Sequence, residues 1–334
     1  MIRLGQLGVG SWGRNLLRNF ALLHDCAITW VCDPSAAVHA QVKQTAPSAR
    51  VTARPEEVFS ATDVDAVVIA TPAVTHAELT LAALEAGKHV FVEKPMALSV
   101  ADAHRMEEAA ARADRILMVG HLLEYHPAFT RVREMIDAGE LGDVYYLYST
   151  RVNLGKVRRD ENALWSLAPH DVSIALMMID DDPIAVAATG QAYLQPGIED
   201  VAFLNVRFAH GHMAHCHVSW LDPHKVRQLT VVGARKMVVV DDMEPSEKVR
   251  VYDKGVNWTG QYQSYGDALT LREGDIYVPN VAMVEPLRLE CQAYLDAVRT
   301  GVPPRSDGRD GARVVAVLGA AEQSLRSNGI PVAL

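Results

Sequence analysis

Short apolar runs recur through the first 121 residues: IRLGQLGVG, AITWVCD, DAVVIAT, KHVFVEK and RILMVGH. They are nearly continuous in apolar residues, the pattern of strands covered on both faces. Between them, residues 13–23, 35–45, 76–86 and 99–112 carry apolar positions at helical spacing. Strands separated by helices build βαβ units. The pattern predicts an α/β domain over residues 1–121, with a parallel sheet and helices on both faces.

From residue 122 the texture changes. A helical stretch, EYHPAFTRVREMIDAGEL, leads into DVYYLYSTRVN, and one more helix is predicted over roughly 169–179. Strand-like runs then follow without helices, at 184–194, 200–209, 212–220, 226–233 and 236–241. HGH at 210–212 and GARK at 233–236 read as hairpin turns. Two helices are predicted near the end, at about 285–300 and 309–326. Residues 122–334 therefore read as an α+β domain with an open, mainly antiparallel sheet.

Composition narrows the function classes. The chain has 334 residues, 49% hydrophobic and 22% charged, with a net charge of −9. That length and balance fit two globular domains. The acidic surface predicts no nucleic-acid or membrane partner. No apolar run reaches the roughly 18 residues of a membrane span. The N-terminus lacks a signal-peptide layout, and four cysteines without a C-x-x-C pair read as free thiols, so the expected location is the cytoplasm.

The first chemical motif is GVGSWG, which places Gly8, Gly10 and Gly13 around Ser11 and Trp12 at a predicted strand-to-helix turn. Glycines there permit a tight turn and close approach of backbone to a pyrophosphate, and the helix N-terminus adds N–H donors. Asp33 lies 20 residues beyond Gly13 at the next strand end, where a carboxylate accepts hydrogen bonds from ribose hydroxyls. Its charge repels a 2′-phosphate, so NAD is expected over NADP. ATPAVTH ends the DAVVIAT run and makes Thr71, Pro72 and His76 candidates beside the cofactor. EKP ends the KHVFVEK run, with Glu93 and Lys94 at the same sheet edge.

GVGSWG, ATPAVTHAELTLAALEAGKHVFVEKPMALS, GH at 120–121 and LTVVGARKMVVVDD together resemble the Gfo/Idh/MocA oxidoreductases, the glucose–fructose oxidoreductase and inositol dehydrogenase group. The resemblance spans essentially the whole chain. It implies a Rossmann domain, a second domain whose open sheet forms a homodimer or homotetramer contact, and NAD(P)-linked chemistry on a sugar or polyol hydroxyl. By motif, Lys94 corresponds to the lysine between nicotinamide and substrate, followed by a proline often preceded by a cis peptide bond. His170 corresponds to the histidine of D-x-x-x-H, whose aspartate position is Ser166 here. RVNLGKVRRDENALWSLAPHDVSI and the C-terminal helices further resemble members acting on nucleotide-linked sugars, such as 3-dehydrogenases of UDP-N-acetyl hexoses.

Read from the residues, Pro169 suits a first helical turn. This places His170 at a helix start, where the dipole favours a neutral imidazole able to act as a general base. Lys94 is expected to stabilise charge on the same oxygen. Ser166 is expected to cap the helix. Arg151, Lys156, Arg158 and Arg159 form a basic segment suited to a diphosphate. Asn153, Glu161, Asn162 and Trp165 are candidate sugar contacts, and Tyr125 a candidate pocket residue. HGHMAHCH does not read as a metal site: in a strand, His215 and His217 face one side and Cys216 the other. Two alternatives are an NAD-binding sensor on the same fold, prompted by Ser166, and an NAD-dependent glycosidase using transient 3-oxidation.

Overall fold

The computed structural model describes residues 1–155, 157–159, 161–258 and 269–334. Its first sheet contains Ile2–Leu7 (β1), Cys26–Cys32 (β2), Arg50–Thr52 (β3), Ala66–Ile69 (β4), His89–Glu93 (β5) and Leu117–Gly120 (β6). The six strands are parallel and ordered β3-β2-β1-β4-β5-β6. Helices Gly13–Ala21 (α1), Ala36–Thr45 (α2), Pro55–Ser60 (α3), His76–Glu85 (α4) and Val100–Ala113 (α5) connect them. This is the doubly wound order that binds dinucleotides where strand order reverses, here between β1 and β4. Every residue of β4 and β6 is buried, as the unbroken apolar runs predict.

The chain forms two compact units. The first joins Met1–Tyr125 to Val284–Ala316, and the second joins His126–Met283 to Val317–Leu334. The sequence reading has one crossing, at 121/122, whereas residues 284–316 return to the first unit. The reason lies in Pro286–Thr300 (α8), which buries Leu287, Cys291, Tyr294 and Leu295 at helical spacing. Tyr294 meets Phe91 of β5 and Phe20 of α1 edge-on, with ring centroids 5.6 and 6.3 Å away, and donates to the Val67 carbonyl at 3.2 Å. Its pattern marks a helix but not the sheet it covers.

In the second unit, Pro127–Asp137 (α6) leads to Val144–Val152 (β7), and Ala163–Ile179 (α7) follows. Then come Pro183–Gln191 (β8), Val201–Phe208 (β9), Met213–Ser219 (β10), Val226–Gly233 (β11), Met237–Asp241 (β12), Val249–Trp258 (β13) and Leu269–Tyr277 (β14). After Gly308–Arg326 (α9), Val332–Ala333 (β15) completes a nine-stranded sheet ordered β14-β13-β12-β11-β7-β10-β9-β8-β15. Only β7 and β10 pair in parallel among its described strands; the others are antiparallel. Strand β9 alternates buried and open positions, with one face on the core. Helix α7 lies across β7, β9 and β10. Among the described residues no helix is long and apolar enough to cross a membrane.

Candidate active site

The glycine loop assigns each glycine a different task. Gly8 has φ +87°, and a Cβ there would lie 2.5 Å from the Ala70 carbonyl oxygen. A Cβ on Gly13 would lie 2.4 Å from the Gly8 carbonyl oxygen, so Gly13 lets α1 start against the loop. A Cβ on Gly10 would meet nothing within 4 Å. Gly10, Ser11 and Trp12 are exposed, so this side of the loop is open to a ligand. Helix α1 has no side-chain cap and no acidic residue in its first turn, leaving its N–H groups available to a pyrophosphate.

Asp33 follows β2 and faces this loop. One carboxylate oxygen accepts from Val9 N at 2.8 Å and the other from Ser35 N at 2.9 Å. Each oxygen retains a lone pair for a ribose hydroxyl. The open loop, the uncapped helix and the adjacent carboxylate fit a dinucleotide.

At the end of β5, Glu93 is buried and accepts from the Trp12 indole N–H and the Lys94 backbone N–H. Burial pushes its carboxyl up to about 7. Glu93 therefore ties the glycine loop to the strand end that carries Lys94. A Cβ on Gly120 would come within 3.0 Å of this carboxylate, which explains a glycine at that point of β6. Lys94 is half-buried, and the Lys94–Pro95 peptide is cis. Thr71 is half-buried with its hydroxyl 2.7 Å from that of Thr75, and Pro72 is exposed.

His76 differs from expectation. It is 1% exposed, and its ring nitrogens lie 2.8 and 3.0 Å from the Pro95 and Thr71 carbonyl oxygens. It holds the two strand-end loops together, with both ring nitrogens engaged by backbone. Tyr125 is likewise a core residue, with its hydroxyl on Ser306 at 3.0 Å and Arg305 over its ring.

Helix α7 begins six residues before the predicted start. Its N-cap is Asn162, whose Oδ1 accepts from Trp165 N at 3.1 Å while Nδ2 donates to Glu199 at 2.7 Å. Ser166 is therefore inside the helix and not its cap. His170 is beyond the first turn, past the reach of the terminal dipole, so the helix start does not set its protonation state. Pro169 lies within the helix. Ser166 and His170 are four residues apart, hence on one flank, and both are half-buried. Trp165 is buried in the core.

The basic segment is largely committed elsewhere. Arg151 is buried, and its guanidinium is held by Asp171 at 2.6 Å; it is not a phosphate ligand. Arg158 pairs with Glu161 at 2.9 Å and Arg159 is exposed. Asn153 is half-buried, its N–H on the Ser219 carbonyl at 3.1 Å. Lys156 lies outside the described residues. Across β9 and β10, Cys216 is buried while His215 and His217 share the opposite face and stack on Phe203.

Two residues escaped the sequence reading. His121, just beyond β6, is 1% exposed, with neither ring nitrogen hydrogen-bonded among the described residues. Burial, helped by the Lys94 charge, pulls it down to about 3, so it faces the lysine as a neutral ring. The quoted GH pair was its only signal. Asp171, next to His170 in sequence, lies about 100° around the helix from it and pairs with Arg151.

This chain belongs to the GFO/IDH/MocA family. Residues 2–121 match the oxidoreductase family's NAD-binding Rossmann fold, and residues 129–239 match the GFO/IDH/MocA C-terminal domain. It is an oxidoreductase with an NAD-binding Rossmann domain. UDP-N-acetylglucosamine 3-dehydrogenase of Acidithiobacillus ferrooxidans is 27% identical, with 94% of each chain covered. The solved structure of that enzyme matches with TM-score 0.84 at 25% identity, covering 98% of each chain. The scyllo-inositol 2-dehydrogenase (NAD(+)) of Bacillus subtilis is 26% identical over 100% of this chain and 96% of its own. GenD2 from gentamicin A biosynthesis, solved in complex with NAD, matches with TM-score 0.82 at 25% identity, covering 100% of this chain and 96% of its own.

Proposed function

We propose that this protein moves hydride between NAD and a ring hydroxyl of a nucleotide-linked N-acetyl hexose, at C3. The observation that carries the reading is the full-length likeness to UDP-N-acetylglucosamine 3-dehydrogenase in both sequence and structure. The Gly8–Gly13 loop and the α1 N-terminus would hold the pyrophosphate, and Asp33 the adenosine ribose; its charge disfavours NADP. NAD, when bound, accepts or returns the hydride. Lys94, as an ammonium, stabilises negative charge on the substrate oxygen. His170 takes the hydroxyl proton as general base. Ser166 has no carboxylate to offer, so the base role rests on His170 alone.

The test is NADH formation with UDP-N-acetylglucosamine and with scyllo-inositol as alternative substrates. Turnover with the nucleotide sugar and little with the polyol is expected. His170→Ala and Lys94→Ala should each lower kcat by roughly 10²–10⁴-fold while NADH still binds. Near-normal turnover in both variants would sink the assignment.

Ser166 supports a second reading, a sensor that binds NAD without turning over a sugar. Tight NAD binding with no absorbance change on any nucleotide sugar or polyol would favour it. Sugar release without net NADH would instead indicate a glycosidase. We further propose a homodimer or homotetramer through the open sheet, because its outward face exposes Tyr146, Tyr148, Phe203 and Met213.

A further inference from the structure

Helix α7 is weakest where His170 sits. Pro169 has no N–H, so the Trp165 carbonyl loses its helical hydrogen bond, and the proline ring crowds that carbonyl. The next residue is His170, and the one after it is Asp171. The apolar residues beyond, Val172, Ile174, Ala175 and Leu176, are buried, but apolar contact is non-directional and does not fix helix rotation.

Asp171 supplies the missing direction. It accepts from Arg151 Nε at 2.6 Å and Nη2 at 3.4 Å, a fork that fixes orientation as well as distance. Arg151 is on β7, held between β10 and β11, so the anchor belongs to an interior strand. Both side chains are at most 10% exposed. A buried ion pair is a weak stabiliser: apolar residues of similar volume often do as well or better. Stability alone therefore does not explain a charge pair under this turn.

We propose that Arg151 and Asp171 are a positioning pair that sets the rotation of α7 and so the direction in which His170 leaves the helix. Successive residues of an α-helix are about 100° apart. Pinning Asp171 inward on the sheet holds His170 on the adjacent flank, which Ser166 shares. The inference rests on the catalytic role proposed for His170.

The test compares Arg151→Met/Asp171→Leu and Arg151→Lys with wild type and His170→Ala, using NAD and UDP-N-acetylglucosamine. The apolar double variant should fold and bind NAD normally, because the dinucleotide groups are all in the other unit. Its kcat should fall by roughly 10–100-fold with a smaller change in KM, the cost of a small misplacement. Arg151→Lys, which keeps the charge but loses the fork, should fall between it and wild type. A folded double variant with wild-type kcat overturns the proposal. If the double variant does not fold, Arg151→Lys decides: lower kcat at unchanged stability supports the pair, and wild-type kcat overturns it. Loss of fold in both variants makes the pair a stability element and also overturns it. Near-normal turnover in His170→Ala would strike the catalytic reading itself, a separate outcome.

Discussion

At the residue scale, the three glycines of one loop should respond differently to the same substitution. Gly10→Ala adds a methyl to open space, so thermal stability should be unchanged while NAD affinity drops tenfold or more, about 1.4 kcal/mol. Gly13→Ala drives a methyl into the Gly8 carbonyl oxygen and should lower stability as well. Calorimetry on each variant with and without NAD separates the two. Equal stability losses would contradict the assignment of Gly10 to the ligand. The loop was legible because its spacing and strand–turn–helix setting state its chemistry. His76, Tyr125 and Arg151 were misread for a shared reason. Each lies beside a motif, and local sequence does not say which side of the backbone faces the core. His76 turns to two carbonyls, Tyr125 to Ser306, and Arg151 to Asp171.

At the element scale, α7 shows how a proline misleads. Pro169 suits a helix start, but Asn162 caps the helix earlier, and burial of Leu164, Trp165 and Ala168 holds the extra turns despite the proline. Tertiary packing here outweighs the local penalty of an interior proline, about 3 kcal/mol. Asn162→Ala removes the cap and the bond to Glu199, and should cost roughly 1–2 kcal/mol. Urea unfolding of that variant checks the figure; no loss would mean α7 is not capped there. Most sheet strands were readable from alternation and turns. Strands β13 and β14 were not, because runs such as RVYDKG and LREGDIY interleave charge and glycine with few apolar positions.

At the scale of the whole molecule, the first unit stores buried carboxyls near the cofactor strands. Burial raises Glu93 to about 7 and Asp310 to about 6, and pushes Glu290, which faces Glu93, well above the usual carboxylate range. A carboxyl raised in the folded state favours folding while protonated, and that contribution is lost as pH climbs through the folded value. The contribution of these carboxyls to the stability of the NAD-free protein should therefore decline from about pH 5 to about pH 8, and Glu93→Gln should remove its share of that slope. Urea midpoints across that range decide it; a slope unchanged by the substitution would remove Glu93 as a cause. The fold class was legible because unbroken and alternating apolar runs distinguish a doubly covered sheet from a one-sided one. The return of residues 284–316 to the first unit was not, since amphipathic helices do not name their partners. The central claim is that Lys94 and His170 turn over a nucleotide sugar with NAD. The most direct measurement is initial NADH formation from UDP-N-acetylglucosamine by wild type, Lys94→Ala and His170→Ala, with NADH binding followed in parallel. The account predicts turnover in the wild type and its loss in both variants with binding intact. Undiminished turnover in the variants, or none in the wild type on any nucleotide sugar, would contradict it.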